Sequence, residues 1–298
     1  MRRFTPEQIR EFVSEPRFDG AAARAGDTGW PKISVVTPSR NQAAFLERTI
    51  LSVLNQRYPN LEFIVVDGGS TDGSAGILRR YERYLARWVS EPDEGQSDAL
   101  NKGFAMATGD LVAWQNSDDI YLPGALETVA KAFRENPGHD VYFGNMVTLD
   151  PEDRVLREHR FTPFSVKCLL YDGWNITNQS AFFRREIVRR YPFRKELEYA
   201  MDGDFFVRVG RGGKSFRFIH ALLGALRIHP SAKGETIGRS VGVEEWAGIR
   251  DAEGIPVRSD IGWGRQHVFR KAACKLRKLG YYAIQGDWDY ILRKIAGR

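Results

Sequence analysis

Cysteine is almost missing from this chain. Cys168 and Cys274 are the only two among 298 residues, and they lie far apart. Two distant thiols build no disulfide framework, and such sparse use suits a reducing compartment. Long apolar runs are missing as well. No stretch approaches the roughly 18 apolar residues of a membrane-spanning helix, and no apolar segment of signal-peptide type follows Met1-Arg2-Arg3. No glycine falls between Thr37 and Gln42, just after the first expected strand, so the G-x-G-x-x-G turn of a dinucleotide-binding unit is absent. Strong charge asymmetry is lacking too: 44 lysines and arginines face 38 acidic residues, a net of +6. The small excess gathers near the C-terminus, at Arg265, Arg270, Lys271, Lys275, Arg277 and Lys278. Such a stretch reads first as a solvated helix face and second as a contact for anionic lipid or nucleic acid. These absences lead to the expectation of a cytoplasmic protein, or one resting peripherally on the inner membrane face, with no nucleic-acid partner.

What the chain does have is alternation. Hydrophobic residues are 42% of it and charged residues 28%, which allows a packed core and argues against disorder. Residues 1–31 read as an N-terminal appendage: a short helix opened by Thr5-Pro6-Glu7, then a Gly- and Ala-rich linker over 19–29. From Ile33 the pattern becomes strand (Ile33 to Thr37), helix (Ala43 to Gln56), strand (Leu61 to Val66), helix (Ser74 to about Leu85), strand (Trp88 to Pro92), helix (Ser97 to Ala107) and strand (Asp110 to Gln115). Short connections between alternating strands and helices predict a mostly parallel, doubly wound sheet over 32–136, an α/β class. Over 137–238 the rhythm changes to strands without intervening helices, and a mixed half of the same domain is expected. Residues 239–298 are rich in aromatics and end in basic helices, read as a C-terminal extension.

The sequence turns on Asn116-Ser117-Asp118-Asp119, which follows the apolar strand Leu111 to Trp114. A helix from Leu122 to Phe133, with Pro123 in its first turn, is expected after it. Two neighbouring carboxylates thus stand at the C-terminal end of a strand, where open α/β sheets hold their ligands. Like charges repel, and burying them unpaired costs several kcal/mol. A hard divalent cation such as Mn²⁺ or Mg²⁺ removes that cost and shares its remaining positions with phosphates. The alternative is a solvated turn that caps the next helix.

Four segments stand in order: Thr37-Pro38-Ser39-Arg40-Asn41; Val66-Asp67-Gly68-Gly69-Ser70-Thr71-Asp72-Gly73; Asn101-Lys102-Gly103 with Gly109-Asp110; and Asn116-Ser117-Asp118-Asp119. In order and spacing, from about Lys32 to His229, the chain resembles the family 2 glycosyltransferases of GT-A fold. The resemblance implies a GT-A type fold and transfer of a sugar, with inversion, from a nucleotide-diphosphate donor. It implies that Asp67 meets the nucleobase, that Asp118 faces the ribose or the water shell of a divalent metal (Mn²⁺ or Mg²⁺), and that Asp119 binds the metal. Thr37 and Pro38 would line the nucleoside pocket, and the Gly68-Gly69 turn would let backbone approach the ligand. Arg40, Asp98 and Lys102 are candidate diphosphate contacts, each with an exposed surface residue as the plain alternative. In Met201-Asp202-Gly203-Asp204, Asp202 stands where the family carries its general base, with Asp204 as rival and with helix capping as the simpler role for either. Met201 replaces an acidic residue usual in the family. Arg227-Ile228-His229 resembles an Arg-x-His element, so His229 could complete the metal shell or meet diphosphate. Trp174 could stack on a sugar, although a buried core aromatic is the simpler reading.

The resulting expectation is a metal-assisted inverting glycosyltransferase acting on a glycan or lipid-linked acceptor, in surface polysaccharide assembly. A lipid-linked acceptor would suit basic C-terminal helices resting on a membrane. Two alternatives remain. A sugar nucleotidyltransferase would want a Gly-rich basic loop after the first strand. A non-catalytic nucleotide-sugar-binding protein would suit the missing acidic residue at 201.

Overall fold

The computed structural model describes residues 3–18, 29–255 and 265–295. Thr5 opens α1 (Pro6–Ser14) with a capping box: its hydroxyl accepts from the Gln8 amide while the Gln8 side chain accepts from the Thr5 amide. Then β1 (Ile33–Ser39), α2 (Ala43–Leu54), β2 (Leu61–Asp67), α3 (Ser74–Tyr81), β3 (Arg87–Ser90), α4 (Gln96–Met106) and β4 (Leu111–Trp114) alternate. β1 lies between β2 and β4, and β3 flanks β2, all parallel. Every residue of β1 and β4 is buried, as befits apolar strands covered by helices on both faces. The alternation expected from the sequence is the one the chain adopts.

One boundary moved for a physical reason. Pro38 was expected to end the first strand, yet β1 runs on to Ser39, with Pro38 opposite Val66 of β2. On the other side β4 stops at Trp114, opposite Val36, whose carbonyl accepts from Gln115 N. Two residues later the missing Pro38 amide points past the end of β4, where no ladder bond is due.

The second half is mixed, as expected. It contains β5 (Ile120–Tyr121), α5 (Ala125–Glu135), β6 (Val141–Leu149), β7 (Val155–His159), α6 (Val166–Asp172), β8 (Ala181–Arg184), α7 (Arg185–Arg190), α8 (Met201–Arg211) and β9 (Phe216–Arg227). α9 (Lys233–Thr236), α10 (Val241–Ala252), α11 (Arg265–Ile284) and α12 (Trp288–Ile295) follow. The sheet order is β3-β2-β1-β4-β8-β6-β9-β5, with β7 also on β6. β8 is antiparallel to both β4 and β6, and β9 is parallel to β6. The helix expected from Leu122 begins only at Ala125, after Gly124 at φ +79°. Ile120 and Tyr121 are instead held as β5 opposite Ala225 and Gly224, a pairing over a hundred residues away that no local pattern announces.

Trp114 anchors the core beneath the C-terminal edge of the sheet. It stacks on Phe183 and Phe206 and meets Phe193 and Phe205 edge-on. The residues read as an appendage are packed: Ile9, Phe12 and Val13 of α1 are buried in one cluster with Ile120, Leu122, Leu149 and Leu222, and Asn55 Nδ2 donates to the Phe12 and Glu15 carbonyls. The linker expected after them lies, except for Gly29, outside the described residues. Cys168 and Cys274, distant in sequence, meet with their Sγ atoms 2.6 Å apart where α11 lies on α6. Among the described residues no helix is long and apolar enough to cross a membrane.

Candidate active site

The C-terminal ends of β1 and β4, the Asn116–Asp119 turn and the start of α8 enclose a cleft of about 490 Å³. The turn is pinned from beneath. Asp119 is 1% exposed. Gln179 Nε2 and Asn116 Nδ2 donate to its Oδ2, at 2.8 and 3.1 Å, and the Arg227 amide donates to its Oδ1 at 2.9 Å. The buried Arg227 guanidinium donates to the Asp118 carbonyl and to Asp153, which also takes Arg48. Burial, and then the neighbouring Asp118 charge, push the Asp119 carboxyl above its ordinary value, while the Gln179 and Arg227 donors pull it back. Asp119, expected to bind the metal, thus has both oxygens engaged by N–H donors at the cleft floor.

Asp118 is the neighbour that faces outward. Its Oδ2 lies 3.1 Å from His229 Nε2, and His229 Nδ1 lies 2.9 Å from Ser231 Oγ. The Phe45 ring packs on the imidazole at 4.3 Å between centroids, fixing its plane. A carboxylate oxygen beside a ring nitrogen oriented from its other side is a donor set that Mn²⁺ or Mg²⁺ accepts. Among the described residues no group of three or more His, Cys, Asp or Glu side chains could enclose a cation. Asp118, oriented by His229 behind it, fits a cation that takes its other ligands from a diphosphate and water.

α8 carries both rival bases, and only one faces the cleft. Asp202 lies half-buried in the cleft wall, where burial pushes its carboxyl up to about 6. Asp204 is 3% exposed and committed elsewhere: Arg194 and Arg208 donate to it at 3.1 and 2.7 Å. The segment leading into α8 is gripped by Glu245 of α10. Its carboxylate accepts the amides of Glu198, Tyr199 and Ala200 at 2.7, 3.0 and 2.7 Å. A Cβ at Gly203 would come within 2.3 Å of the next residue's ring, Trp246, so α10 lies directly on the turn that aims Asp202. The C-terminal extension therefore braces the cleft. Glu245→Ala is expected to cost about 1–2 kcal/mol of stability, and so to lower the melting temperature, by removing charge-assisted bonds to three amides. It should also cut kcat several-fold through loss of aim rather than of chemistry. Calorimetry and steady-state kinetics check it; unchanged kcat would show that the grip does not reach Asp202.

The other expected site residues divide. Pro38, Arg40 and Asn116 line the cleft with Asp118, Asp119 and Asp202, and Asn116 Oδ1 accepts from Gln96 Nε2 at 2.8 Å. Thr37 is buried within β1, its hydroxyl unpartnered among the described residues. Asp67, fully buried, spends its carboxylate on the Ser70 amide and on the Ser70 and Ser90 hydroxyls, so it shapes the turn instead of offering an oxygen to the cleft. Gly69 sits at φ +74°, where a Cβ would crowd Pro92. Asp98 and Lys102, expected on the diphosphate, turn aside: Lys195 lies 2.5 Å from Asp98, and Lys102 lies 3.3 Å from Asp98 and 3.2 Å from Glu91. The pair at i and i+4 occupies one side of α4, while Gln96, Ser97 and Ala99 line the cleft. His229 is 3% exposed and reaches the cleft through Asp118. Trp174, read as core, is 47% exposed on the cleft wall.

Sequence reasoning missed Asp93 and Lys233. Asp93 lines the cleft so close to Gly68 that a Cβ there would stand 2.5 Å from its Oδ2; an acidic residue beside a glycine turn was the available signal. Lys233 brings a cation to the mouth, donating to Gln96 Oε1 and the Glu198 carbonyl.

Residues 34–192 match the family described as Glycosyl transferase family 2. An uncharacterized glycosyltransferase of Mycobacterium tuberculosis is 34% identical over 186 residues, 61% of this chain and 70% of its own. TuaG of Bacillus subtilis, a putative teichuronic acid biosynthesis glycosyltransferase, is 41% identical over 104 residues, 34% of this chain and 41% of its own. Among solved structures, S. aureus TarS is similar over 72% of this chain and 39% of its own, with a TM-score of 0.55 and 21% identity. A shorter form of it was solved with UDP and with UDP-GlcNAc. The mannosyltransferase PcManGT of Pyrobaculum calidifontis, in complex with GDP-Man and Mn²⁺, is similar over 96% of this chain and 86% of its own, with a TM-score of 0.57 and 17% identity. At such identities these structures speak for the fold, which is the GT-A type expected from the sequence.

Proposed function

Since this chain belongs to glycosyl transferase family 2, and is thus a glycosyltransferase, we propose that it moves a sugar from a nucleoside-diphosphate donor to a hydroxyl of a glycan or lipid-linked acceptor, with inversion. The observation that carries this reading is one cleft holding two unlike carboxylates. Asp118 stands beside an oriented imidazole, and Asp202 lies apart with its pKa raised to about 6. Environments that push two acids apart divide them into different roles.

Asp202 takes the acceptor's proton. The freed oxygen attacks the anomeric carbon as the bond to the diphosphate breaks on the opposite face, through a centre of oxocarbenium character. Asp118, with His229 orienting it, would hold a divalent cation, which would supply charge neutralisation to the leaving diphosphate. Arg40 and Lys233 at the mouth add positive charge for the same group, and the exposed face of Trp174 offers a stacking surface for a sugar ring. A metal-stabilised diphosphate leaves without the protonated acid that a glycosidase needs. The ligands of the similar structures, UDP, UDP-GlcNAc and GDP-Man, support a nucleoside-diphosphate donor. The similarity to TuaG, a putative teichuronic acid biosynthesis glycosyltransferase, supports a cell-surface glycan as the product.

A thermal-shift screen of nucleotide sugars with Mn²⁺, followed by product analysis, tests the reading, because a ligand that binds only the folded chain raises its melting point. The expected result is one donor that stabilises the protein and is consumed with release of nucleoside diphosphate, the product carrying the opposite anomeric configuration. Consumption of added pyrophosphate, with formation of nucleoside triphosphate and sugar 1-phosphate, would make the protein a nucleotidyltransferase, and binding without turnover in the presence of acceptor would make it a binding protein.

A further inference from the structure

α11 is a 20-residue helix with an apolar stripe turned to solvent. One side of it is anchored: His267 and Cys274 are buried, and Lys278 donates to Asp172 of α6 at 2.7 Å. The opposite side carries Phe269, Ala272, Leu276, Leu279 and Ala283, at helical spacings of three and four. Phe269 is 74% exposed, Leu276 68% and Leu279 37%, with Val268 at 57% beside them. Ile284 at the end of the helix, and Trp288 and Leu292 on α12, are exposed as well, by 83%, 60% and 66%. A soluble surface helix ordinarily turns its polar side outward; this one does the reverse, and a contiguous exposed apolar surface marks an interaction site.

Charge says what covers it. Lys271 and Lys275 run along one flank of the stripe, and Arg270 and Arg277 along the other. α11 contains no carboxylate. Among the described residues neither Lys271 nor Lys275 has an acidic partner, whereas Arg270 and Arg277 reach back to the Tyr171 hydroxyl and the Pro163 carbonyl. A second copy of the chain on this stripe would set like charges against like along both flanks. A bilayer with anionic headgroups meets both features at once, taking the apolar side chains into the boundary of the acyl layer and the flanking cations among the phosphates. We propose that α11 and the start of α12 form a docking surface by which the protein lies on anionic membranes.

The surface adds to the proposed function, since a lipid-linked acceptor resides in such a bilayer, but it stands on its own residues and is read without donor or acceptor. α11 packs on α6 through Cys168, Asp172 and Tyr171, and Leu169 of α6 lines the cleft. α6, the helix on which α11 rests, is therefore also part of the cleft wall.

Flotation of the full chain with vesicles tests it, using phosphatidylcholine alone and phosphatidylcholine mixed with phosphatidylglycerol. The wild-type protein is expected to float with the anionic vesicles, to stay behind with the neutral ones, and to release at high salt. Phe269→Asp with Leu276→Asp should reduce the floated fraction about tenfold or more. Circular dichroism should show unchanged melting, because both side chains are already in water. Lys271→Glu with Lys275→Glu should weaken binding to anionic vesicles and leave donor turnover in solution unchanged. The proposal is overturned if the wild type ignores anionic vesicles, or if the double aspartate variant floats as it does. It is overturned as well if light scattering shows a dimer that the aspartates dissolve, since a second copy would then cover the stripe. None of these outcomes bears on whether the cleft transfers sugar.

Discussion

Asp118→Asn is expected to bind Mn²⁺ at least about tenfold more weakly and to turn over about a hundred to a thousand times more slowly, while melting almost as the wild type does. The carboxylate is partly exposed, with its Oδ2 beside His229, and asparagine fills the same space, so little folding energy depends on its charge. What it loses is an anionic oxygen beside an oriented imidazole. The informative control is its neighbour. Asp119 accepts three N–H bonds at a buried site, and an asparagine there must turn an NH₂ group toward at least one of those donors. A buried donor left unpaired costs about 1–3 kcal/mol. Asp119→Asn should therefore melt lower yet keep Mn²⁺ affinity within a few-fold. Calorimetric titration and paramagnetic resonance of Mn²⁺, set beside thermal melts, separate the two. A chelator should reduce wild-type turnover to the level of Asp118→Asn. If instead Asp119→Asn lost the ion while melting like the wild type, the metal would belong to Asp119, as the sequence alone suggested.

These two aspartates show where sequence reading stops. Two adjacent aspartates after a buried strand announce an acidic station at the sheet's edge, and it is there. How deeply each of them is held depends on the Arg227 amide and the Gln179 side chain, 108 and 60 residues from Asp119 in sequence. The first half of the sheet was readable because strand, turn and helix succeed one another within about thirty residues. The second half was readable only as strands without order, since β5, β6, β8 and β9 pair across long separations. Asp204 could have been set aside earlier. Arg208 four residues on marks an i, i+4 ion pair, and two residues apart on a helix point to nearly opposite sides, so Asp202 and Asp204 could not both face one cleft. Lys102 carried the same signal through Asp98. Glu245 carried none. Its partners are backbone amides, which every residue has, so only the fold reveals which amides it meets.

Asp202→Asn is expected to remove about two to four orders of magnitude from kcat while leaving nucleotide binding intact and making the protein more stable near neutral pH. The two effects share one cause. Burial lifts the Asp202 carboxyl from an ordinary 3.8 to about 6, so ionising it costs the folded state more than the unfolded chain. The stability it contributes when protonated, below the unfolded value, is lost as the pH climbs from about 4 to about 6. Above that range the wild type bears a cost that the neutral asparagine does not, on the order of 1–2 kcal/mol after allowance for the partial exposure of the group. Catalysis needs the same ionisation. Wild-type kcat/KM should fall about tenfold per pH unit below about 6 and level off above it. The variant should lose that limb of the profile along with its rate. Stopped turnover assays across pH, paired with melts at acidic and neutral pH, read both. An unchanged rate in the variant would take the base away from Asp202, and Asp204, locked between two arginines, could not inherit it. A lost rate with no gain in melting temperature near neutral pH would leave the base in place but deny that its charge is held under desolvation.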